Sequence, residues 1–153
     1  MLKAIFTNIE KEIIALVEQH CPDQLLISSP WISSEAIIDA ASVRDSKLLL
    51  NDYGKIHKGS CDYDIAFVRI LVESFTELFI YTSESHMLHS KFIVFVKDEK
   101  PFAVLTGSYN YTVQAAKNYE NVIFIVDDTI AWQYANEFKK ISASPAVKKV
   151  MKA

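Results

Sequence analysis

A set of reactive polar side chains lies in the second half of the chain: His89 and Lys91, followed by Ser108, Asn110 and Glu120. A neutral imidazole is a competent nucleophile near neutral pH. Lys91 and Asn110 could hold the non-bridging oxygens of a phosphate and stabilise charge on phosphorus. Ser108 could add a hydrogen bond, and Glu120 could accept the other ring N–H of His89 and fix its tautomer. These catalytic candidates are the groups needed to attack a phosphodiester without a metal ion.

One component of that reaction is missing from the set. A leaving alkoxide needs a general acid, and the set offers a single histidine for this work. His86 lies three residues before His89 and is predicted to line the rim of the groove as a substrate-binding residue. A zinc site at His86 is not favoured, because no cysteine or histidine partner has the spacing of such a site. No metal or other cofactor is predicted.

Two apolar runs, residues 92–96 and 102–105, must position these side chains and are predicted to form a β-hairpin. A turn centred between Glu99 and Lys100 fixes the register of that hairpin. The opposed pairs are then Lys91 with Ser108, and His89 with Asn110. Directly opposed residues share a face of the sheet, so the reactive side chains come together. A slip of one residue would separate them.

The rest of the chain alternates between helical and strand-like patterns. Helices are predicted over 7–20, 33–41, 65–75, 113–117 and 128–141, strands over 24–28, 47–50, 77–81 and 121–126, and a loop over 55–62. Most of the strands are apolar on both faces, which is typical of strands covered on both sides. The sequence therefore predicts an α/β fold, a mixed β-sheet flanked by helices on both faces, in a single domain spanning residues 1–153.

Composition limits the classes of protein that fit. The chain has 153 residues, of which 50% are hydrophobic, and a net charge of -3. A protein that coats nucleic acid needs many lysines and arginines on phosphates, and this balance argues against one. A local basic groove stays possible, because net charge says little about one cleft.

The cysteines and the hydropathy pattern suggest a compartment. Cys21 and Cys61 form no C-x-x-C pair and are expected to be reduced and buried. The first ten residues lack the apolar stretch of a signal peptide. No segment approaches the roughly 18 apolar residues of a membrane helix. The expected location is the cytoplasm, with no membrane partner.

The reactive residues resemble the signature of the phospholipase D superfamily, H-x-K-x4-D followed by G-S-x-N. His89-Ser-Lys91 matches the first part, and Gly107-Ser-Tyr-Asn110 matches the second. The segment around Glu120 is similar to single-motif bacterial endonucleases of that superfamily. The resemblance covers roughly residues 77–126 and implies an α-β-α sandwich.

The chain departs from the family pattern at two points. Val96 occupies the position of the family aspartate, and the nearest acid is Asp98. The interval before Gly107 is longer by four residues, an even number that preserves the side-chain parity of a hairpin. The proposed nucleophile and phosphate ligands are retained.

The resemblance implies where the missing acid comes from. Single-motif members pair as homodimers, so that His89 of one chain forms a phosphohistidine and His89 of the other protonates the leaving oxygen. The predicted function is a metal-independent endonuclease that cleaves DNA, with RNA as the alternative substrate. The alternatives are a non-catalytic or weakened nucleic-acid-binding subunit and a lipid phosphodiesterase.

Overall fold

The computed structural model describes residues 1–52, 65–83 and 85–150 of the chain. The strands are β1 Leu2–Ile5, β2 Gln24–Ser28, β3 Lys47–Asn51, β4 Glu77–Tyr81, β5 Phe92–Lys97, β6 Lys100–Gly107, β7 Val122–Val126 and β8 Val147–Val150. The helices are α1 Ile9–His20, α2 Glu35–Ser42, α3 Ile65–Ser74 and α4 Asp128–Ser142, with a short 3-10 helix at Ala115–Lys117.

The described strands form one eight-stranded sheet in the order β1-β7-β6-β5-β2-β3-β4-β8. The pairs β2–β3 and β3–β4 are parallel, and the other pairs are antiparallel. One core cluster packs α1, α2 and α3 against one face of the sheet. A second cluster packs α4 against the opposite face. The predicted α/β fold, a mixed sheet with helices on both faces, is confirmed.

The central strand β5 shows why its sequence is apolar on both faces. Phe92, Val94 and Val96 belong to the cluster under α4. Ile93 and Phe95 belong to the cluster under α1, α2 and α3. All five side chains are buried. Side chains alternate between the two faces of a strand, so a strand covered on both sides has no position for a polar residue.

Helix α4 has an apolar stripe. Phe138 is buried, and Ile130, Tyr134 and Ile141 pack around the same cluster. The helix begins at Asp128 as predicted, and the Asp127 carboxylate caps it by accepting the backbone N–H of Ile130 at 2.8 Å. That bond satisfies one of the free donors at the start of the helix.

Two strands were not predicted from the sequence. β1 pairs with β7 at one edge of the sheet, and β8 pairs with β4 at the other. Both are four residues long and largely exposed. Short edge strands have few buried positions, so their hydrophobic pattern is too weak to predict them. The lysines of β8 are typical of edge strands that are protected from pairing with another chain.

The predicted register of the hairpin is wrong by one residue. β5 and β6 pair Phe92 with Thr106, and the register shifts after Phe95. The turn residues Asp98 and Glu99 both have positive φ, as a tight two-residue turn requires. The turn is therefore centred earlier than predicted, and the bulge only partly compensates. As a result, Lys91 lies opposite Gly107 and not opposite Ser108.

The cysteine prediction needs a correction. Cys21 has a free thiol but is exposed, at the residue that ends α1 in a left-handed conformation. Cys61 and the predicted loop over 55–62 lie outside the described residues. Within the described ranges, no helix is long and apolar enough to cross a membrane.

Gly107 holds β6 unusually close to β7. A Cβ atom built at Gly107 would lie 2.1 Å from the carbonyl oxygen of Asn121 and 2.8 Å from the Cα of Val122. Both neighbours are backbone atoms, which cannot rotate away. The strands can approach this closely because position 107 has no side chain.

We expect Gly107→Ala to lower the free energy of unfolding by about 1–3 kcal/mol, because its methyl group would force the two strands apart. Urea denaturation of the purified protein measures this change. Ala116→Ser, which adds one atom at an exposed position, serves as the control and should keep the wild-type midpoint. A wild-type midpoint in Gly107→Ala would contradict the steric argument.

Candidate active site

The predicted site residues lie at one edge of the sheet. β6 ends at Gly107, and its antiparallel neighbours β5 and β7 begin at Phe92 and Val122. Antiparallel pairing brings the end of one strand beside the start of the next. The segments that precede β5, follow β6 and precede β7 therefore meet at this edge.

These segments and α4 enclose a cavity of about 650 Å³. Its walls contain His89, Ser90, Lys91, Phe92, Thr106, Gly107, Ser108, Asn110, Gln133, Tyr134 and Glu137. Four of the predicted site residues, the histidine, lysine, serine and asparagine of the two motif halves, share this cavity. They meet despite the wrong register, because they lie beyond the ends of the strand ladder, where strand parity no longer governs side-chain direction.

Lys91 carries a charge in a mostly desolvated position. Its side chain is 8% exposed, and its Nζ donates to the carbonyl oxygen of His89 at 2.8 Å. Burial lowers the pKa of Lys91, and the Glu120 carboxylate acts in the opposite direction. A partly buried ammonium with few fixed partners is well suited to bind an incoming anion, because the attraction between charges is stronger away from water.

The ring of His89 is exposed, and its Nδ1 lies 3.3 Å from Lys91 Nζ. If the ammonium donates to Nδ1, the ring proton is on Nε2, and the imidazole can act as a proton donor. Nucleophilic attack through Nε2 needs the other tautomer, with the proton on Nδ1. The contact with Lys91 therefore decides which ring nitrogen carries the proton, and so whether Nε2 acts as a proton donor or as a nucleophile.

Glu120 contacts Ser108 and not His89. The Ser108 hydroxyl donates a short hydrogen bond to the Glu120 carboxylate and accepts the Asn121 N–H at 3.0 Å. The Ser108 N–H in turn donates to the Asn121 carbonyl at 2.9 Å. Among the described residues, no hydrogen bond joins His89 to Glu120, so the carboxylate orients the serine in this geometry.

Asn110 presents an amide to the cavity wall. Its side chain is half-buried, and its Oδ1 is buried without a hydrogen-bond partner among the described residues. A buried polar atom left without a partner costs free energy. Only a donor can supply the missing partner, so the predicted contact with a phosphate oxygen, which is an acceptor, would use the amide N–H groups of Asn110 instead.

Sequence reasoning missed the contribution of α4. Gln133 and Glu137, four residues apart and thus on one helix face, line the cavity together with Tyr134. The ring of Tyr134 also packs edge-on against Phe92, with centroids 5.0 Å apart. No local sequence pattern indicates which part of the sheet a helix packs against. The presence of these residues in the cavity wall could therefore not be predicted from the sequence.

Two other expectations concern residues outside the cavity. His86 is exposed, its Nδ1 lies 2.8 Å from the Ser85 hydroxyl, and it is not among the cavity residues. Val96, at the position of the family aspartate, is buried at 4% exposure in the cluster under α4. Five residues of strand separate it from Lys91, a distance of roughly 16 Å. The substitution at this position therefore leaves the cavity walls intact.

In the part of the chain that the structure describes, no group of three or more histidine, cysteine, aspartate or glutamate side chains is arranged to hold a metal ion. The cavity has one carboxylate, Glu137 on the α4 side, while the two motif halves contribute a lysine, a histidine, an amide and hydroxyls. These groups of the motif halves suit an anionic ligand better than a cation.

The fold and the place of this cavity define a phospholipase D-like domain. The family model described as cardiolipin synthase, PLD-like domain, matches residues 18–142. Because the match covers most of the chain, the chain belongs to this family. No curated protein matches the sequence significantly.

Solved structures share the fold at low sequence identity. Nuc, a phospholipase D family member from Salmonella typhimurium, has a TM-score of 0.76 at 17% identity over 99% of each chain. NucT from Helicobacter pylori has a TM-score of 0.65 at 14% identity over 92% of this chain and 94% of that one. The archaeal chromatin protein TrmBL2 has a TM-score of 0.60 at 14% identity over 97% of this chain and 53% of that one.

The electrostatic environment of Lys91 gives a direct prediction. We expect NMR titration of labelled lysine side chains to give Lys91 a pKa below the ordinary range, because burial disfavours its charged form. Glu120→Gln should lower that pKa further, since it removes the carboxylate that favours the charge. Glu99→Gln, at the far turn of the hairpin, is the control and should leave it unchanged. An unshifted or raised pKa in the wild-type protein would refute this description of the site.

Proposed function

We propose that the protein is a metal-independent phosphodiesterase that cleaves nucleic acid, with DNA as the expected substrate, through a phosphohistidine intermediate. The observation that carries the proposal is the meeting of His89, Lys91, Ser108 and Asn110 in one cavity. Together they offer a nucleophile, a cation and hydrogen-bond donors to one phosphate. Membership of the PLD-like family supports phosphodiester chemistry as the reaction.

In the first step, Lys91 Nζ leaves His89 Nδ1 for the phosphate and the ring proton lies on Nδ1. Nε2 of His89 then attacks phosphorus, a P–N bond forms and the bond to the leaving oxygen breaks. Lys91 and Asn110 bind the non-bridging oxygens and stabilise the charge that develops on them. Ser108 donates its only hydroxyl proton to Glu120, so its proposed part is to hold that carboxylate and not to donate to the phosphate. The leaving oxygen needs a proton at the moment the bond breaks.

We propose that His89 of the partner subunit supplies this proton in a homodimer with a shared site. In the second step the same imidazole removes a proton from water, the oxygen attacks phosphorus and the P–N bond breaks. Both histidines return to their starting states, so the cycle balances. The exposure of His89 supports this arrangement, because a partner can approach it.

Exposed apolar residues close in sequence to the two motif halves also favour a partner chain. Met87, two residues before His89, is 44% exposed, and Val113, three residues after Asn110, is 60% exposed. Apolar side chains left in solvent near a candidate active site are candidates for a surface that another protein covers. His86 is exposed and does not line the cavity, and its contact with the substrate remains a prediction.

Two other functions have specific support. The family description names cardiolipin synthase, which favours a lipid phosphodiester as substrate for the same chemistry. The fold is also shared with TrmBL2, a chromatin protein that binds DNA, which favours a non-catalytic DNA-binding subunit. The valine at the family aspartate position is compatible with that second function.

We expect the wild-type protein to cleave plasmid DNA in excess EDTA, and His89→Ala to lose about 100-fold or more of this activity. Agarose gels read the conversion of supercoiled DNA. His20→Gln, at the far end of α1, is the matched histidine control and should cleave normally.

Cleavage abolished by EDTA would refute the metal-free mechanism. Binding without cleavage, unaffected by His89→Ala, would favour the non-catalytic function, and turnover of phospholipid vesicles alone would favour the lipid enzyme.

The shared site predicts a dimer of twice 17.4 kDa at micromolar concentration, measured by sedimentation velocity. Met87→Glu should shift the protein to monomer and reduce cleavage in parallel, because it places a charge in the proposed interface. Val43→Glu is the matched control, since Val43 is 78% exposed at the end of α2. A fully active monomer would rule out the shared site.

A further inference from the structure

We propose that a second cavity beside the candidate active site binds one unstacked nucleobase of the substrate strand, so that the enzyme acts on single-stranded or locally unpaired nucleic acid. This inference rests on the proposed nuclease function and adds the form of its substrate. Its support comes from two exposed aromatic rings, the balance of charge and the position of this cavity.

The second cavity has a volume of about 390 Å³ and lies between the start of α1 and the segment before β7. The pairing of Ile5 with Val122 brings these segments together at the sheet edge that carries the active-site candidate. Tyr109 of the second cavity follows Ser108 of the first, and Tyr119 precedes Glu120. Adjacent Cα atoms are about 3.8 Å apart, so the two cavities meet at this sheet edge, the first on the α4 side and the second on the α1 side. A strand that crosses the edge can place a phosphate in the first cavity and the base of a neighbouring nucleotide in the second.

Two aromatic rings at this cavity are left in solvent. Tyr119 is fully exposed, and Phe6 is 68% exposed. Both line the cavity. A fully exposed tyrosine gains nothing from core packing, whereas an aromatic ring beside a phosphodiester site can stack on a base of a passing strand. Their position explains why such rings stay outside the core.

The charges of the second cavity indicate a neutral occupant. Its charged residues are Glu10 and Lys11, of opposite sign, and the Glu10 carboxylate accepts the Ser34 hydroxyl at 2.7 Å. A phosphate would need excess positive charge, which this cavity lacks. A nucleobase is flat, uncharged and polar at its edges, and therefore fits this environment better.

The floor of the cavity contains a hydroxyl that has no partner. Tyr109 is 1% exposed, and its hydroxyl makes no hydrogen bond to any described residue. Burial raises the pKa of Tyr109 to about 12, so the phenol keeps its proton at neutral pH and remains a donor. A base that enters the cavity offers ring nitrogens and carbonyl oxygens that can accept this bond.

A base in a double helix is stacked on both sides and paired along its edge. It can enter this cavity only after it leaves the stack, which costs a few kcal/mol in a duplex and much less in a single strand. The proposed pocket therefore favours single-stranded DNA or RNA, loops and mismatched positions over intact duplex.

The test measures binding to two strands of equal charge. Fluorescence anisotropy gives the Kd of a dT12 oligonucleotide and of a 12-unit strand that lacks every base, with His89→Ala as the parent so that neither is cleaved. We expect the added Tyr119→Ala substitution to weaken binding of dT12 by roughly tenfold. Binding of the base-free strand should not change, because the lost interaction is with a base. Duplex DNA should bind the parent more weakly than dT12.

The control variants separate stacking from a structural effect. Tyr119→Phe keeps the ring and should bind dT12 like the parent. Trp132→Ala removes another exposed aromatic ring, 47% exposed on α4, and should have no effect. Thermal unfolding of each variant should match the parent, since Tyr119 makes no core contact.

The outcomes distinguish this inference from the function on which it rests. If the wild-type protein cleaves dT12 but Tyr119→Ala weakens both strands equally or neither, the base pocket is refuted and the nuclease stands. If the wild-type protein neither cleaves nor binds dT12, both proposals fail together.

Discussion

The close approach of two backbones at Gly107 is the constraint on which the site depends. A side chain at this position would collide with the Asn121 carbonyl and the Val122 Cα. Because β6 and β7 meet so closely, the Ser108 N–H donates to the Asn121 carbonyl. The Ser108 hydroxyl accepts the Asn121 N–H and donates to the Glu120 carboxylate. One glycine thus lets a hydroxyl and a carboxylate from different segments approach each other.

Burial of Lys91 costs free energy because it desolvates a charge, but it also strengthens the attraction of that charge for an anion. The side chain is almost fully buried, and burial lowers its pKa by disfavouring the ammonium. The fold offsets part of this cost with the His89 carbonyl, which accepts a hydrogen bond, and with the field of Glu120. An anion in the cavity would offset more, since it would bring a negative charge into a poorly solvated space. Under the proposed function, the site is stabilised by the substrate it binds.

Under the proposed function, the site contains one histidine for a reaction that needs two proton-transfer groups. Among the described residues around the cavity, the other titratable groups are Lys91, Tyr134 and Glu137. Glu137 carries a negative charge that a phosphate would avoid, so the substrate strand is expected to leave the cavity away from α4. The proposed partner histidine and the proposed base pocket then lie on the open sides, at the exposed rim and toward β1. Under the proposed function, the geometry of one chain thus constrains both where a second chain would dock and where the strand would run.

The sequence by itself determined the types of residue and most of the elements. The apolar runs of β4 and β5, the stripe of α4 and the two motif halves are local patterns, and each is readable because side chains alternate or recur with a fixed period. Tertiary structure decided the rest. The hairpin register depended on a turn with two positive φ values and on a bulge, and neither is predicted by the hydrophobic pattern. Strands β1 and β8 form because β7 and β4 supply their hydrogen-bond partners. Likewise, the contact of Glu120 with Ser108 and the presence of Gln133 and Glu137 in the cavity follow from how strands and α4 pack. Periodicity is a property of one segment, whereas a site is set by distances between segments, and only packing fixes those.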